Sequence, residues 1–333
     1  MKYQDTKMWK FIHVMTFLMC LVVLLQSCGD SGTAPSASVA PIVLPKIYLT
    51  DTFNSRIVRI DDLSGISSNW TSRSGFANPK GIFLDSAGKI YVSDTGNNRI
   101  VRMDDITGTN LTLFANSGSN QLTTPTGIVV DSAGKIYVTD TGNNRVVRMD
   151  DMNGTNWISF GSSGAGNSQF SSPAGVFVVT PSSNITPGIY VTDTGNNRII
   201  RMDDMIGTNW NPFGSSGAGN SQFSNPAGIF VTSSVGNITS GVYIADTGNN
   251  RIVRMNDLNG ANWSSFGSSG NGVGQFSSPT GIFIDSLGKV YVSDTGNNRI
   301  VRFDDFTWKN WISLGSWGGG INQLNQPSFA VIQ

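Results

Sequence analysis

Six stretches of this sequence place a carboxylate, one or two amides and a guanidinium at fixed spacing. "DTGNNRIVRMDD" starts at Asp94, "DTGNNRVVRMDD" at Asp140, "DTGNNRIIRMDD" at Asp193, "DTGNNRIVRMND" at Asp246 and "DTGNNRIVRFDD" at Asp294; a divergent "DTFNSRIVRIDD" starts at Asp51. Oxygen donors bunched in this way suit a cation loop. A calcium loop of the EF-hand type takes ligands at alternate positions, yet Gly96 occupies the third position. Six equal copies spread along the chain also do not converge on one ligand. The competing use is structural. A short turn makes its flanking residues cross-strand partners, and opposite charges there attract. The spacing predicts structural ion pairs Asp94–Arg99, Asp140–Arg145, Asp193–Arg198, Asp246–Arg251 and Asp294–Arg299, with Asp51–Arg56 as the divergent copy. Gly96, Asn97 and Asn98 would supply the positive φ of the turn.

The residues that are missing narrow the chemistry further. His13 is the only histidine, Glu is absent, and the two cysteines are Cys20 and Cys28. General acid–base catalysis near neutral pH draws on His or a tuned carboxylate, and zinc sites need His or Cys. No catalytic residue, metal site or cofactor is therefore expected. Without the first 27 residues, 19 basic groups face 21 acidic ones. So balanced a chain has no electrostatic footprint for nucleic acid.

The N-terminus reads as a separate device. Lys2, Lys7 and Lys10 precede the apolar run Phe11 to Leu25, which is short for a membrane span and fits a signal peptide. "LQSC" follows and resembles the bacterial lipobox, in which the cysteine, here Cys28, is acylated. Residues 1–27 are thus expected to be a lipoprotein signal peptide and 28–45, small, polar and Pro-containing, a flexible tether. The resemblance implies a membrane-anchored lipoprotein of the bacterial cell envelope.

What positions the six charged stretches is the repeat around them. From Pro125, "PTGIVVD", "KIYVTD", "RVVRMD" and "NWISFG" are short apolar runs separated by turn residues, which reads as a four-stranded antiparallel meander. One such sheet cannot bury both faces; stacking copies radially does so. First strands open at Pro79, Pro125, Pro173, Pro226, Pro279 and Pro327, and second strands near Ile47, Ile90, Ile136, Ile189, Val242 and Val290. The folded part therefore begins on a second strand and ends on a first strand. The expected fold, over 46–333, is all-β: a six-bladed β-propeller whose C-terminal strand completes the N-terminal blade. A Trp in the fourth strand (Trp157, Trp210, Trp263, Trp311) suits packing between blades, with an aromatic cage for sugar as the sharper alternative.

The unit "P-x-G-I-x-x-D-x-x-G-K-I-Y-V-x-D-T-G-N-N-R-I" resembles the NHL repeat. That resemblance implies the same six-bladed ring but no single function. Amidating-lyase and streptogramin-lyase propellers depend on such acid–base or zinc-binding residues, so neither activity carries over to the part of the chain after the signal segment. Sugar-lactonase-like propellers hold a cation with acidic and Asn ligands, whereas the positions before the first strands here are Lys80, Thr126, Ala174, Ala227, Thr280 and Ser328. The expected function is a monomeric, non-catalytic scaffold for an envelope protein or glycan. The alternative is a hydrolase or lyase with a site in the central pocket. Two blades replace the minimal "DSAGK" turn by longer loops, and Ser182, Ser183, Asn184, Thr186, Ser233, Ser234, Asn237 and Thr239 form a candidate polar binding ridge there.

Overall fold

A computed structural model describes residues 46–61, 70–115, 117–181 and 185–333. The signal segment, the tether and Cys28 lie outside the described residues, as do Ser182, Ser183 and Asn184. The short β-branched runs form strands, and the Gly, Asn and Asp clusters between them form turns. Blade three is typical: Pro125–Val130, Ile136–Asp140, Arg145–Met149 and Ile158–Phe160, paired in sequence order. Blades two, four, five and six repeat it, with first strands Ile82–Leu84, Pro173–Val179, Pro226–Thr232 and Pro279–Ile284.

Blade one is assembled from both ends of the ring. Its order is Trp70–Ser74, Arg56–Ile60, Ile47–Asp51 and then Pro327–Ile332. Ile47 pairs with Ile332, Tyr48 with Val331 and Leu49 with Ala330. The last strand lies between the first strands of blades six and two, closing the circle around the axis.

Second strands are buried along their whole length, as in Ile136–Asp140. Both faces are covered by neighbouring blades, so an apolar run opens the strand and the Thr and Asp that end it are buried as well. The core is accordingly a set of layers between blades. In one of them Val138, Val147 and Met149 meet Phe114, Leu122 and Ile128, with Trp157 packed against them. The Gly of "P-x-G" follows from how closely first strands meet. A β-carbon on Gly127 would lie 2.4 Å from the Ala174 carbonyl oxygen, so no side chain fits.

One element was not foreseen in the Gly/Ser loops. Ser162–Ser163 pairs in parallel with Gln169–Phe170, and the loops before blades five and six repeat this ladder. Gln169 Oε1 accepts the Gly166 N–H at 2.9 Å, while Phe170 is fully buried as the loop's anchor.

Candidate functional site

Each "DTGNNR" aspartate is a fully buried hydrogen-bond hub. Asp246 Oδ2 accepts Arg251 Nε and Asn249 Nδ2, both at 2.8 Å, and Oδ1 accepts the Ser224 N–H at 2.7 Å. Arg251 continues to the carbonyls of Ala218 at 2.7 Å and Gln222 at 2.9 Å. Asn250 Oδ1 takes the Ser278 N–H of the next loop at 2.7 Å. The stretch thus ties its own blade to the loops on either side. The ion pairs at Asp94, Asp140, Asp193 and Asp294 repeat it at 2.6 to 2.7 Å, and Asp51–Arg56 joins them at 2.7 Å. Both carboxylate oxygens already face protein donors, which leaves no room for the cation reading. Burial pushes the Asp294 carboxyl above its ordinary value, against the opposing pull of the Ser277 N–H, Asn297 and Arg299.

The turn chemistry differs from expectation in one respect. Thr95–Asn97 is a single 3-10 turn, and only Asn98, with φ 53°, is left-handed. Gly96 is required by proximity instead. Its N–H donates to the Ala77 carbonyl at 2.7 Å, and a β-carbon would stand 2.9 Å from that oxygen.

The axial channel is lined by the third to fifth residues of the first strands, Phe83, Phe177, Phe230, Phe283 and Phe329 among them. Phe177, Phe230 and Phe283 meet edge to face with centroids 5.1 Å apart. The space left is about 60 Å³, far below the roughly 300 Å³ at which ligand pockets begin. At the mouth, the Thr126 hydroxyl bonds the Ala174 carbonyl at 3.1 Å and that of Thr280 the Ser328 carbonyl at 2.7 Å. Among the described residues no three His, Cys, Asp or Glu stand close enough to hold a metal ion.

The two long loops leave the opposite end of the ring from the Thr–Gly–Asn turns. Each contains "NIT", and its Ile is an anchor: Ile185 packs with Val231 and Leu258 of blade five, Ile238 with Ile284 and Phe303 of blade six. Tyr190 and Tyr243 donate to the carbonyls of Thr186 at 2.7 Å and Thr239 at 2.5 Å. Where the turn is minimal, the same tyrosine meets an aspartate instead, as Tyr137 meets Asp131 at 3.3 Å. Burial, reinforced by that carboxylate, pushes the Tyr137 phenol up to about 12. Of the candidate ridge, Thr186, Ser234, Asn237 and Thr239 are exposed and Ser233 is half-buried. Trp157, Trp210, Trp263 and Trp311 pack against the layers between blades. Trp157 stacks on Phe114 at 5.4 Å while Arg145 lies 5.7 Å from its ring centroid. Among the described residues these four rings lie against neighbouring Phe rings and form no cage.

The family model for the NHL repeat matches residues 76–103, 122–149 and 276–303. These spans are the end of one loop through the third strand in blades two, three and six. The chain carries NHL repeats. No curated protein matches it. Among solved structures, this chain is similar to a chain of a nidogen/laminin complex, at 17% identity and TM-score 0.65, covering 86% of this chain and 98% of that one. A streptogramin B lyase is 17% identical, with TM-score 0.56 and coverages of 85% and 82%. A catalytically inactive histidine-to-alanine variant of virginiamycin B lyase from Staphylococcus aureus, with quinupristin, is 18% identical, with TM-score 0.54 and coverages of 78% and 77%. These likenesses concern the fold. The NHL ring described here contains no histidine at all, His13 being outside it.

Proposed function

We propose that this chain is a lipid-anchored, exported NHL propeller that serves as a non-catalytic scaffold at the bacterial cell envelope. The observation that supports it best is the axial channel. Apolar side chains fill the place where a central-pocket hydrolase or lyase would gather its catalytic groups, and the carboxylates of the repeat are spent inside the blades. The similar chain in a nidogen/laminin complex fits a surface that binds protein, whereas the lyase likeness brings no matching histidine.

The anchor rests on "LQSC". Cys28→Ala is expected to abolish incorporation of a fatty-acid probe by cells expressing the full chain; equal labelling of both forms removes the lipoprotein reading. The ridge at the loop end is tested without disturbing Ile185 and Ile238. Thr186→Lys, Asn237→Lys and Thr239→Lys together are expected to abolish recovery of envelope partners by the full chain at unchanged melting temperature. Undiminished recovery would move the binding surface elsewhere on the ring.

A further inference from the structure

Four residues around blade one depart from the repeat together, at the end of the ring that carries the Thr–Gly–Asn turns. Phe53 stands where the other blades have Gly96, Gly142, Gly195, Gly248 and Gly296. Trp317 and Ile321, in "GSWGGGINQL", stand where the loop before blade four has Ser163 and Asn167. All three are exposed, at 56%, 72% and 80%. Their loops are fastened to one another. Asn54 Nδ2 donates to the Gly318 carbonyl at 2.8 Å, Arg56 to that of Gly319 at 2.9 Å, and the Phe53 N–H to that of Asn325 at 3.1 Å. The equivalent bond is 2.7 to 2.9 Å in the five glycine turns.

The fourth residue is Lys80, in the ring of mouth positions otherwise held by Thr, Ala and Ser. It adjoins the patch through blade one's second strand and turn. The Thr52 hydroxyl, next to Phe53, donates to the Pro79 carbonyl at 2.8 Å, and that of Thr50 to the Lys80 carbonyl at 2.7 Å. Lys80 is half-buried, and burial holds its ammonium below the ordinary value; among the described residues no carboxylate pairs with it. Arg56, the neighbouring cation, is already paired with Asp51 at 2.7 Å. None of these four residues is demanded by the repeat, since the same chain folds sister blades without them. Exposed apolar groups carried on loops that are bonded to one another are candidates for an interaction site.

We propose that Phe53, Trp317 and Ile321, with Lys80 on their axial side, dock an acidic peptide segment of a partner protein. Its aromatic or aliphatic side chains cover the patch, and an Asp or Glu carboxylate pairs with the Lys80 ammonium. The proposal rests on the scaffold reading and names the partner's chemistry. The unpartnered cation beside the apolar surface argues for a carboxylate there, and against an uncharged occupant.

A random-peptide display library panned on the full chain tests this. Enriched peptides are expected to pair an acidic residue with Trp, Phe, Leu or Ile. Phe53→Gly, Trp317→Ser and Ile321→Asn, which install the residues of sister blades and so keep the fold, are expected to weaken those peptides at least about tenfold. Lys80→Thr is expected to weaken them by a factor that shrinks as salt rises. Enriched peptides without acidic residues, or unchanged affinity for the replaced chain, would overturn the proposal. So would self-association, or binding to neutral lipid vesicles, that the same replacements abolish, because the surface would then belong to a second copy or a bilayer. Full recovery of envelope partners by the replaced chain sinks this surface and leaves the scaffold standing. Absence of partners for both forms sinks the scaffold itself.

Discussion

Deletion of Gln326 to Gln333 is expected to cost the propeller most of its stability. The segment contains the whole first strand of blade one, Pro327–Ile332, whose removal uncovers the backbone edge of Ile47–Asp51. Ile47 and Leu49, now fully buried, would face water, and Tyr48 would lose its bond to Gln333 at 3.1 Å. Truncating one core side chain to Ala costs about 2–5 kcal/mol, and this deletion removes several contacts of that kind together with a row of strand hydrogen bonds. Against a total of about 5–15 kcal/mol for a domain, the loss is comparable to the whole. The unpaired edge should also promote aggregation. Thermal melting of the truncated chain measures it: no cooperative transition, or a greatly lowered one, is expected. A melting temperature equal to that of the full chain would show that the last strand does not close the ring. Supplying the missing segment as a free peptide is expected to restore part of the transition, because Lys46 and Gln333 already bond each other's backbone at 3.0 and 3.3 Å.

That closure was legible because it is a counting argument. Six openings of each strand type, in a series that begins on a second strand and ends on a first strand, admit a single way of completing six blades. The Asp–Arg pairs were legible for a similar reason, since turn length fixes which residues face each other. The role of Gly96 was misread, because positive φ is the commonest use of a turn glycine. The real cause, a carbonyl from the preceding loop at 2.9 Å from its absent β-carbon, is a contact across the repeat boundary that no local pattern displays. Ile185 and Ile238 were hidden likewise. "NIT" inside a run of Ser and Thr looks like polar surface, yet each Ile packs on the next blade. Phe53, Trp317, Ile321 and Lys80 were all visible as departures from the repeat. What the sequence lacked was their adjacency, which depends on two segments more than two hundred residues apart meeting where the ring closes.

Asp246→Ala is expected to destabilise the ring by about 3–5 kcal/mol, the scale for leaving one partner of a buried ion pair alone. The change removes at once the acceptor of Arg251 Nε, one of the two acceptors of the Asn249 amide and the acceptor of the Ser224 N–H, around a fully buried position. Asp246→Asn keeps the shape and one acceptor oxygen, but its amide hydrogens meet other donors. It should recover only part of the loss. The decisive comparison is among blades. Asp94→Ala, Asp140→Ala, Asp193→Ala and Asp294→Ala remove the same set of bonds from equivalent aspartates, so each should lower the chemical-denaturation midpoint by a similar amount. A ligand-binding carboxylate would behave differently, with one blade critical for binding and the others indifferent. Calcium provides the remaining discrimination. Because both oxygens of each aspartate are already held by nitrogen donors, neither added calcium nor a chelator is expected to shift the melting of the unaltered chain. A calcium-dependent rise that Asp246→Ala abolishes would return the six stretches to the role of cation loops.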